Sequence, residues 1–459
     1  MSNKRYFVLT EAPENFSVLS AAEDRADICV RGHFTEDTTD DTGIVFDFSY
    51  DCLYLRILKE ESGALAAPPV KLSFSGDRFE ARLSLPVGGP YLLDLYYCNP
   101  SRTLAYPLRG ERRRHFFVGD VYLIAGQSNA AGMGQGALFE PMELGIQLLR
   151  DLSHWDVASA PFSDFDYSKQ SMFLHFAKIL KSETGRPIGL VPAAMGGAPL
   201  SRFLTSENGD LYKKMMAALS AHSITPKAVL WYQGCSDAGE GCGIDAYIER
   251  FSELVKNIRA DVKNPDLPFY TFQLNRQIIS RENESLDTHY DQIREAQRRA
   301  AEKIPYVSVL PAVDGFAMSD FIHGSKMANL AFGERLARTV LSREYGIGEG
   351  VQIPSISSAT LSGRTLTLCF KDVFSYLNDY HCGLRHLPIS VADTEGNIPL
   401  SAYRIDAEKI ILTLSRDAVG EVFVSAQSGT DPRYIIADYL SGIPMLCFYR
   451  YPVTKKERE

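Results

Sequence analysis

The sequence predicts an α/β protein, with a parallel sheet covered by helices on both faces and set between two smaller all-β modules. Three observations lead there. Short alternating runs rich in Tyr, Phe and Val fill the chain to about residue 115. From 116 apolar strand-like runs alternate with segments of helical periodicity, and after Gly346 the alternating style returns. At 459 residues the chain is long enough for about three domains, and these changes of rhythm put them at 1–115, 116–347 and 348–459.

In the first segment the strand candidates are RADICVRGHF, GIVFDFSYDCLYLRIL, VKLSFSG, RFEARLSLP and YLLDLYYC. Gly43, Ser75-Gly76-Asp77 and Gly88-Gly89-Pro90 punctuate them, which predicts a β-sandwich. In the middle segment five buried-looking strands are expected: VYLIA, IGLVPAA, AVLWYQG, FYTFQL and YVSVLPAVD. The helices expected around them are MFLHFAKILKSETG, LYKKMMAALSAH, IDAYIERFSELVKNIRADV, HYDQIREAQRRAAEK and MANLAFGERLARTVLSREYG, each with apolar residues recurring at three and four. Strands buried on both faces and alternating with helices form parallel sheets, whose sites lie beyond the strands' carboxyl ends. In the last segment TLTLCF, LPISVAD, KIILTLS and EVFVSAQ read as strands of a smaller β-domain.

Composition sets outer limits on function. With 45% apolar and 23% charged residues, disorder, collagen-like repeats and coiled coil are excluded as global descriptions. A net charge of −9 argues against nucleic acid as a partner. No apolar stretch reaches the ~18 residues of a membrane span, so no membrane partner is expected. The opening MSNKRYFVLTEAPENF lacks a signal-peptide core, so a complete chain would be cytoplasmic. Eight scattered cysteines without tight spacing read mostly as buried thiols rather than a disulfide framework.

The chemistry is expected in the middle segment. In VGDVYLIAGQSNAAGMG an apolar strand runs directly into Gly126-Gln127-Ser128-Asn129. A serine in that turn becomes a nucleophile once a base takes its proton, and small neighbours let backbone N–H groups approach an oxyanion. The plainer alternative is a serine that caps a following helix. Gly196-Gly197 closes the IGLVPAA strand, Gln233 sits in WYQG, and Asp320-Phe321-Ile322-His323 precedes GSKMANLAFGERLA. A DxxH spacing can place a carboxylate and an imidazole in one turn.

Taken in this order, GQSN, VPAAMGGAPLSRF, VLWYQGCSDAG and Asp320–His323 with Gly333 to Ala337 resemble the blocks of the SGNH hydrolases, most closely their sialate O-acetylesterase branch. LPVGGPYLLDLYYC and RYIIADYLSGIPMLCF resemble that family's flanking strands, so the resemblance covers nearly the whole chain. It implies a flavodoxin-like, three-layer α/β/α domain with a five-stranded parallel sheet. It also implies Ser128 as nucleophile, His323 as base and Asp320 as the acid that orients it, with an oxyanion hole from Ser128, Gly196 and the Gln233 amide. Gln127, Asn129, Gly197, Arg202 and Arg276 are candidate substrate contacts, the arginines because a sialate carboxylate favours a bidentate guanidinium. The implied activity is hydrolysis of O-acetyl esters of sugars, sialate first, with acetylated xylo- or manno-oligosaccharides as the alternative.

The sequence departs from the family pattern at Cys235, where relatives usually carry Glu, at Gly324 after the histidine, where Pro is usual, and at Arg202-Phe203, where they often carry Trp. Asp320 must then act alone or with help from Asp237. The Cys235 replacement is also the one feature that favours a different class, a decayed esterase retaining only carbohydrate binding. No cofactor is expected. Cys235, Cys242 and His381-Cys382 match no zinc motif, Glu36, Asp37, Asp40 and Asp41 lack the EF-hand pattern, and Gly132, Gly134 and Gly136 follow a strand that already delivers GQSN. The flanking β-modules leave three roles open: a rim for the pocket, a sugar-binding surface, or the interface of a homodimer.

Overall fold

The computed structural model describes residues 7–34, 53–98, 105–107, 111–134, 140–163, 169–278, 283–315 and 320–456. The acidic stretch 36–41 and Gly136 lie outside these residues.

The central sheet is built from β1 (Arg113–Gly126), β2 (Ile146–Arg150), β3 (His154–Val157), β4 (Ile188–Pro192), β5 (Ala228–Tyr232), β6 (Phe269–Phe272) and β7 (Val307–Leu310). Their spatial order is β3-β2-β4-β1-β5-β6-β7. All neighbours are parallel except β3, which pairs antiparallel with β2. The five expected strands are therefore contiguous, but the sheet is wider than five. β2 and β3 extend it, and neither carries a decisive signal: Ile146, Leu148 and Leu149 fit helical spacing as well as strand alternation.

Helices α1 (Met172–Thr184), α2 (Asp210–Ala221), α3 (Cys235–Gly239), α4 (Ile244–Asp261), α5 (Glu284–Lys303) and α6 (Lys326–Tyr345) connect these strands. Their ends follow from local chemistry. Ser171 accepts from the Phe173 N–H at the start of α1, and Gly185 ends it in a left-handed conformation. The helix expected from His289 begins five residues earlier because Asn283 caps it, its side chain accepting from the Leu286 N–H.

Successive strand residues point to opposite faces, and β5 shows what covers each. Trp231 packs on Phe251 of α4, while Tyr232 stacks on Phe272, which meets Phe332 of α6. α1 lies against α6 and α4 against α5, so a helix pair covers each face. Full burial of Tyr122, Leu123, Ile124, Trp231 and Tyr232 follows from that two-sided cover.

The apolar side chains gather mainly in three clusters, one on the parallel sheet and one among the strands on either side of it. In the N-terminal part, a sheet containing Phe7–Glu11, Arg25–Phe34 and Arg78–Pro86 shares its core with strands Leu53–Lys59 and Gly88–Cys98. β1 is common to two regions: Arg113–Val118 pairs with Gly88–Cys98, and Asp120–Gly126 with β4 and β5. The change of rhythm near 115 thus falls inside one continuous strand. The expected C-terminal strands occur at Thr365–Lys371, Ile389–Asp393, Lys409–Leu414 and Phe423–Ala426. Of the six cysteines whose side chains are described, only Cys447 is buried, so for these the reading of mostly buried thiols is corrected to half-buried ones.

Gly126 shows how tightly β1 is seated. Its φ is +125°, and a Cβ there would lie 2.3 Å from the Tyr232 carbonyl oxygen. Backbone strain of this kind costs about 1–3 kcal/mol, and contact with an immobile backbone atom adds to it. Gly126→Ala is therefore expected to destabilise the fold by at least about 2 kcal/mol in denaturant titration; a loss below about 0.5 kcal/mol would contradict this seating.

Candidate active site

The turn after β1 is fastened to the end of β5. Gln127 donates its N–H to the Tyr232 carbonyl at 2.9 Å, and its Oε1 accepts from the N–H groups of Gly234 (2.9 Å) and Ser236 (3.3 Å). Ala130 and Ala131 both donate to the Gln127 carbonyl, and Met133 donates to that of Ser128, closing a compact turn. Residues 128–132 are turn, not helix, so Ser128 is no helix cap. Ser128 is 6% exposed, and among the described residues neither its hydroxyl nor its N–H has a hydrogen-bond partner.

Asp320 and His323 share one turn. Asp320 Oδ1 accepts from the N–H groups of Ile322 and His323, both at 2.8 Å, and Oδ2 lies 2.7 Å from His323 Nδ1. A carboxylate facing Nδ1 fixes the tautomer with its proton there and leaves Nε2 as the basic nitrogen. Burial works against the Asp320 charge, but the His323 and Ile322 N–H groups and the imidazole outweigh it and hold the carboxyl below its ordinary value. It stays ionised as pH falls past the usual Asp range, and the pairing is lost only below that.

Two amide side chains hold this turn in place. Asn129, next to Ser128, donates to the Ile322 carbonyl (3.4 Å) and accepts from the Gly324 N–H (3.3 Å), gripping the backbone on both sides of His323. Asn275, just past β6, donates to the same Ile322 carbonyl at 2.7 Å. Sequence reasoning missed Asn275; its signal was a carboxamide at a parallel strand's carboxyl end.

On the other side of Ser128, Met195 donates to the Gly126 carbonyl at 3.1 Å, which brings Gly196 beside the Ser128 turn. The Met133 sulfur lies 3.2 Å from where a Gly196 Cβ would be. The Gly196 N–H has no acceptor among the described residues, so Ser128 and Gly196 offer two unengaged backbone donors from adjoining turns. Gly197 turns the chain at φ +66° and faces open space.

Gln233 does not provide the third donor. It is fully buried, and its Nε2 donates to the Ala198 carbonyl at 3.2 Å and to Asp237 Oδ2, which uses both N–H groups. Its Oε1 accepts from the Tyr247 hydroxyl at 3.1 Å. Asp237, also fully buried, accepts in addition from the Leu200 N–H at 3.0 Å, and its nearest cation is Arg250 at 3.9 Å. Loss of solvent pushes its carboxyl upward. Its partners lie outside the His323 turn, so Asp320 is the carboxylate that serves the imidazole.

Four of the candidate substrate contacts have partners within the protein. Gln127 and Asn129 are committed to backbone groups as described. Arg202 grips Asp210 with Nε at 3.0 Å and a terminal nitrogen at 2.5 Å. Arg276, 8% exposed, holds Asp431 with Nε at 2.6 Å. Each guanidinium already holds a carboxylate. Among the described residues no cluster of three or more His, Cys, Asp or Glu is arranged to hold a metal ion.

Removing the Asn129 amide should free the segment around His323. In Asn129→Ala, amide exchange at residues 322–324 is expected to quicken by about tenfold or more, as the loss of about 1.4 kcal/mol of local hydrogen bonding implies. Unchanged exchange there, measured by mass spectrometry, would remove Asn129 as the clasp.

Residues 118–342 match the profile of the family described as carbohydrate esterase, sialic acid-specific acetylesterase. A probable carbohydrate esterase of Arabidopsis thaliana is 29% identical over 250 residues, which span 48% of this chain and 90% of that protein. A crystal structure of a carbohydrate acetylesterase from Xanthomonas citri superposes with a TM-score of 0.63 at 20% identity, covering 97% of this chain and 98% of that one. That second likeness is one of fold, and it extends over the flanking β-regions. Over residues 118–342 the chain is thus similar to the sialic acid-specific acetylesterase family of carbohydrate esterases.

Proposed function

We propose that the chain removes O-acetyl groups from sugars by a serine mechanism in which Ser128 is the nucleophile, His323 the base and Asp320 its orienting acid. The observation that carries this reading is the Asp320–His323 turn, clasped by the residue next to an unengaged serine hydroxyl. Ser128 Oγ would attack the acetyl carbonyl as His323 Nε2 takes its proton. The oxyanion would be received by the N–H groups of Ser128 and Gly196, two preorganised donors rather than three. The imidazolium then gives its proton to the departing sugar oxygen, leaving acetyl on Ser128. Water, deprotonated by the same nitrogen, attacks that ester and releases acetate and the free serine.

For the sugar, the paired arginines favour a neutral acetylated xylo- or manno-oligosaccharide over sialate. A sialate carboxylate would have to displace Asp210 from Arg202 or Asp431 from Arg276, and Arg276 is almost wholly buried. The name of the matched family supports the sialate reading, and Arg202 tests it. Arg202→Ala should alter the Michaelis constants for acetylated sialate and acetylated xylo-oligosaccharide alike. A selective loss on sialate would restore that substrate.

Acetate release should be abolished in Ser128→Ala. In Asp320→Asn the turn can persist while the imidazole tautomer is wrong, so kcat on a small aryl acetate should fall by about 10⁴-fold. A loss of less than tenfold, with thermal stability near wild type, would remove Asp320 from the mechanism. A serine-directed phosphonate should label the wild type at Ser128; a folded protein that takes no label would support the decayed, sugar-binding alternative.

A further inference from the structure

Exposed aromatic side chains are concentrated in the C-terminal β-region. Of fifteen large hydrophobic residues exposed among those described, seven fall in 374–384 and 434–440. These two stretches meet through a short antiparallel ladder, β8 (Leu377–Asn378) with β9 (Ala437–Asp438). Tyr376 and Tyr439 flank it as cross-strand neighbours, their rings 4.8 Å apart and 17° from parallel, with the Tyr439 N–H donating to the Tyr376 carbonyl at 2.8 Å. They remain 43% and 48% exposed, and Phe374, Tyr380 and Leu440 extend the surface at 49%, 52% and 68%.

The platform is rigid from beneath. Asp438 is fully buried and accepts from the Ser375 N–H (2.6 Å), the Ser375 hydroxyl (2.9 Å) and the Ser441 N–H (2.9 Å), locking the backbone on both sides of the tyrosine pair. Tyr376 also lines a groove with Asn378, Asp379 and Tyr403, whose hydroxyl donates to Asp379. An exposed apolar surface held this firmly has not been left for core packing, and patches of this kind mark binding sites.

We propose that this tyrosine platform binds the glycan backbone of the substrate, a neutral polysaccharide of pyranose units, and so holds the polymer while one of its acetyl esters is cleaved. The inference rests on the sugar-esterase reading. A pyranose ring has an apolar face of C–H groups edged by hydroxyls, and a tyrosine ring offers the matching apolar face with a polar edge. Ordering a tyrosine on binding costs little entropy, less still where the ring is already stacked. The Asp379 carboxylate lines the groove and Asp438 lies buried beneath the tyrosine pair, which disfavours a carboxylated chain. Val313, three residues past β7, packs with Ile435 and Cys447, so the β-region that carries the platform adjoins the end of that strand. The same β-region reaches the site by a second route: Asp431 holds Arg276, and Ile278 donates to the Phe321 carbonyl at 2.7 Å.

Affinity electrophoresis of Ser128→Ala protein, through gels containing acetylated xylan, acetylated glucomannan, sialylated mucin or no polymer, tests this without using turnover. At least one neutral polysaccharide should retard the protein, and Tyr376→Ala/Tyr439→Ala should weaken that binding by about tenfold or more, the loss expected of a central aromatic contact. Tyr376→Trp should keep it. If the double variant loses its fold by near-ultraviolet circular dichroism, Tyr439→Ser alone carries the test. Retardation that the variants do not change, retardation by mucin only, or no retardation would overturn the proposal, as would loss of self-association in the variants without any polysaccharide effect. Retardation by a wild type that releases no acetate from any substrate would strike the esterase reading and leave the platform standing; release without retardation would do the reverse.

Discussion

The backbone leaving the carboxyl ends of a parallel sheet must find hydrogen-bond partners that no further strand supplies, and this chain meets that need with buried carboxamides. Gln127 ties the Ser128 turn to the end of β5, and Asn129 and Asn275 tie it and the end of β6 to the His323 turn. Gln233 bridges Ala198 to Asp237, Gln297 takes the Leu274 N–H and gives to the Gln233 carbonyl, and Gln273 exchanges two bonds with the backbone of Cys447. A carboxamide suits this work because it both donates and accepts, so one side chain can satisfy two loops. Each bond nets only about 1 kcal/mol, but a missing partner leaves a buried group unsatisfied at about 1–3 kcal/mol. The set is therefore far harder to lose than its sum suggests.

That constraint separates what could be read in the sequence from what could not. The five buried strands and their helices were legible because apolar periodicity records burial, and burial is what the sheet imposes. β2 and β3 were not, since Ile146, Leu148 and Leu149 satisfy either period and the segment is too short to decide. Asp320 and His323 were legible as a spacing because three residues is one turn, a local matter. The roles of Gln127, Asn129 and Gln233 were not: residue type says that an amide has hydrogen bonds to make, and only the fold says with which loop. The carboxylates that Arg202 and Arg276 hold were hidden for the same reason. Asp210 lies eight residues from Arg202, but Asp431 is 155 residues from Arg276 and invisible from its neighbourhood.

The C-terminal β-region is part of this arrangement rather than an appendage. Gly429 donates to Asp291 at 2.8 Å and Thr430 donates to Asp287, while the Gly429 carbonyl accepts from Arg294. Gln277 donates back to the Thr430 carbonyl at 2.7 Å. One short stretch, 429–431, thus contacts both α5 and the loop after β6, and that loop holds the His323 turn through Asn275 and Ile278.

The Cys235 replacement fits the same accounting. Arg294 is fully buried, and an isolated buried cation is costly unless it is paired or well hydrogen-bonded. A glutamate at position 235 would add a negative charge to this region. The thiol does not, because loss of solvent pushes it up to about 11, leaving it neutral near pH 7. Arg294 instead directs its donors to the carbonyls of Leu274 (2.9 Å), Asn275 (2.8 Å) and Gly429, with the Asp291 carboxylate 3.9 Å away. Three carbonyl dipoles fixed by the strand-end loops take over much of what a single carboxylate would supply. Position 235 supplies no carboxylate, and the one that faces His323 Nδ1 is Asp320, within the same turn of chain.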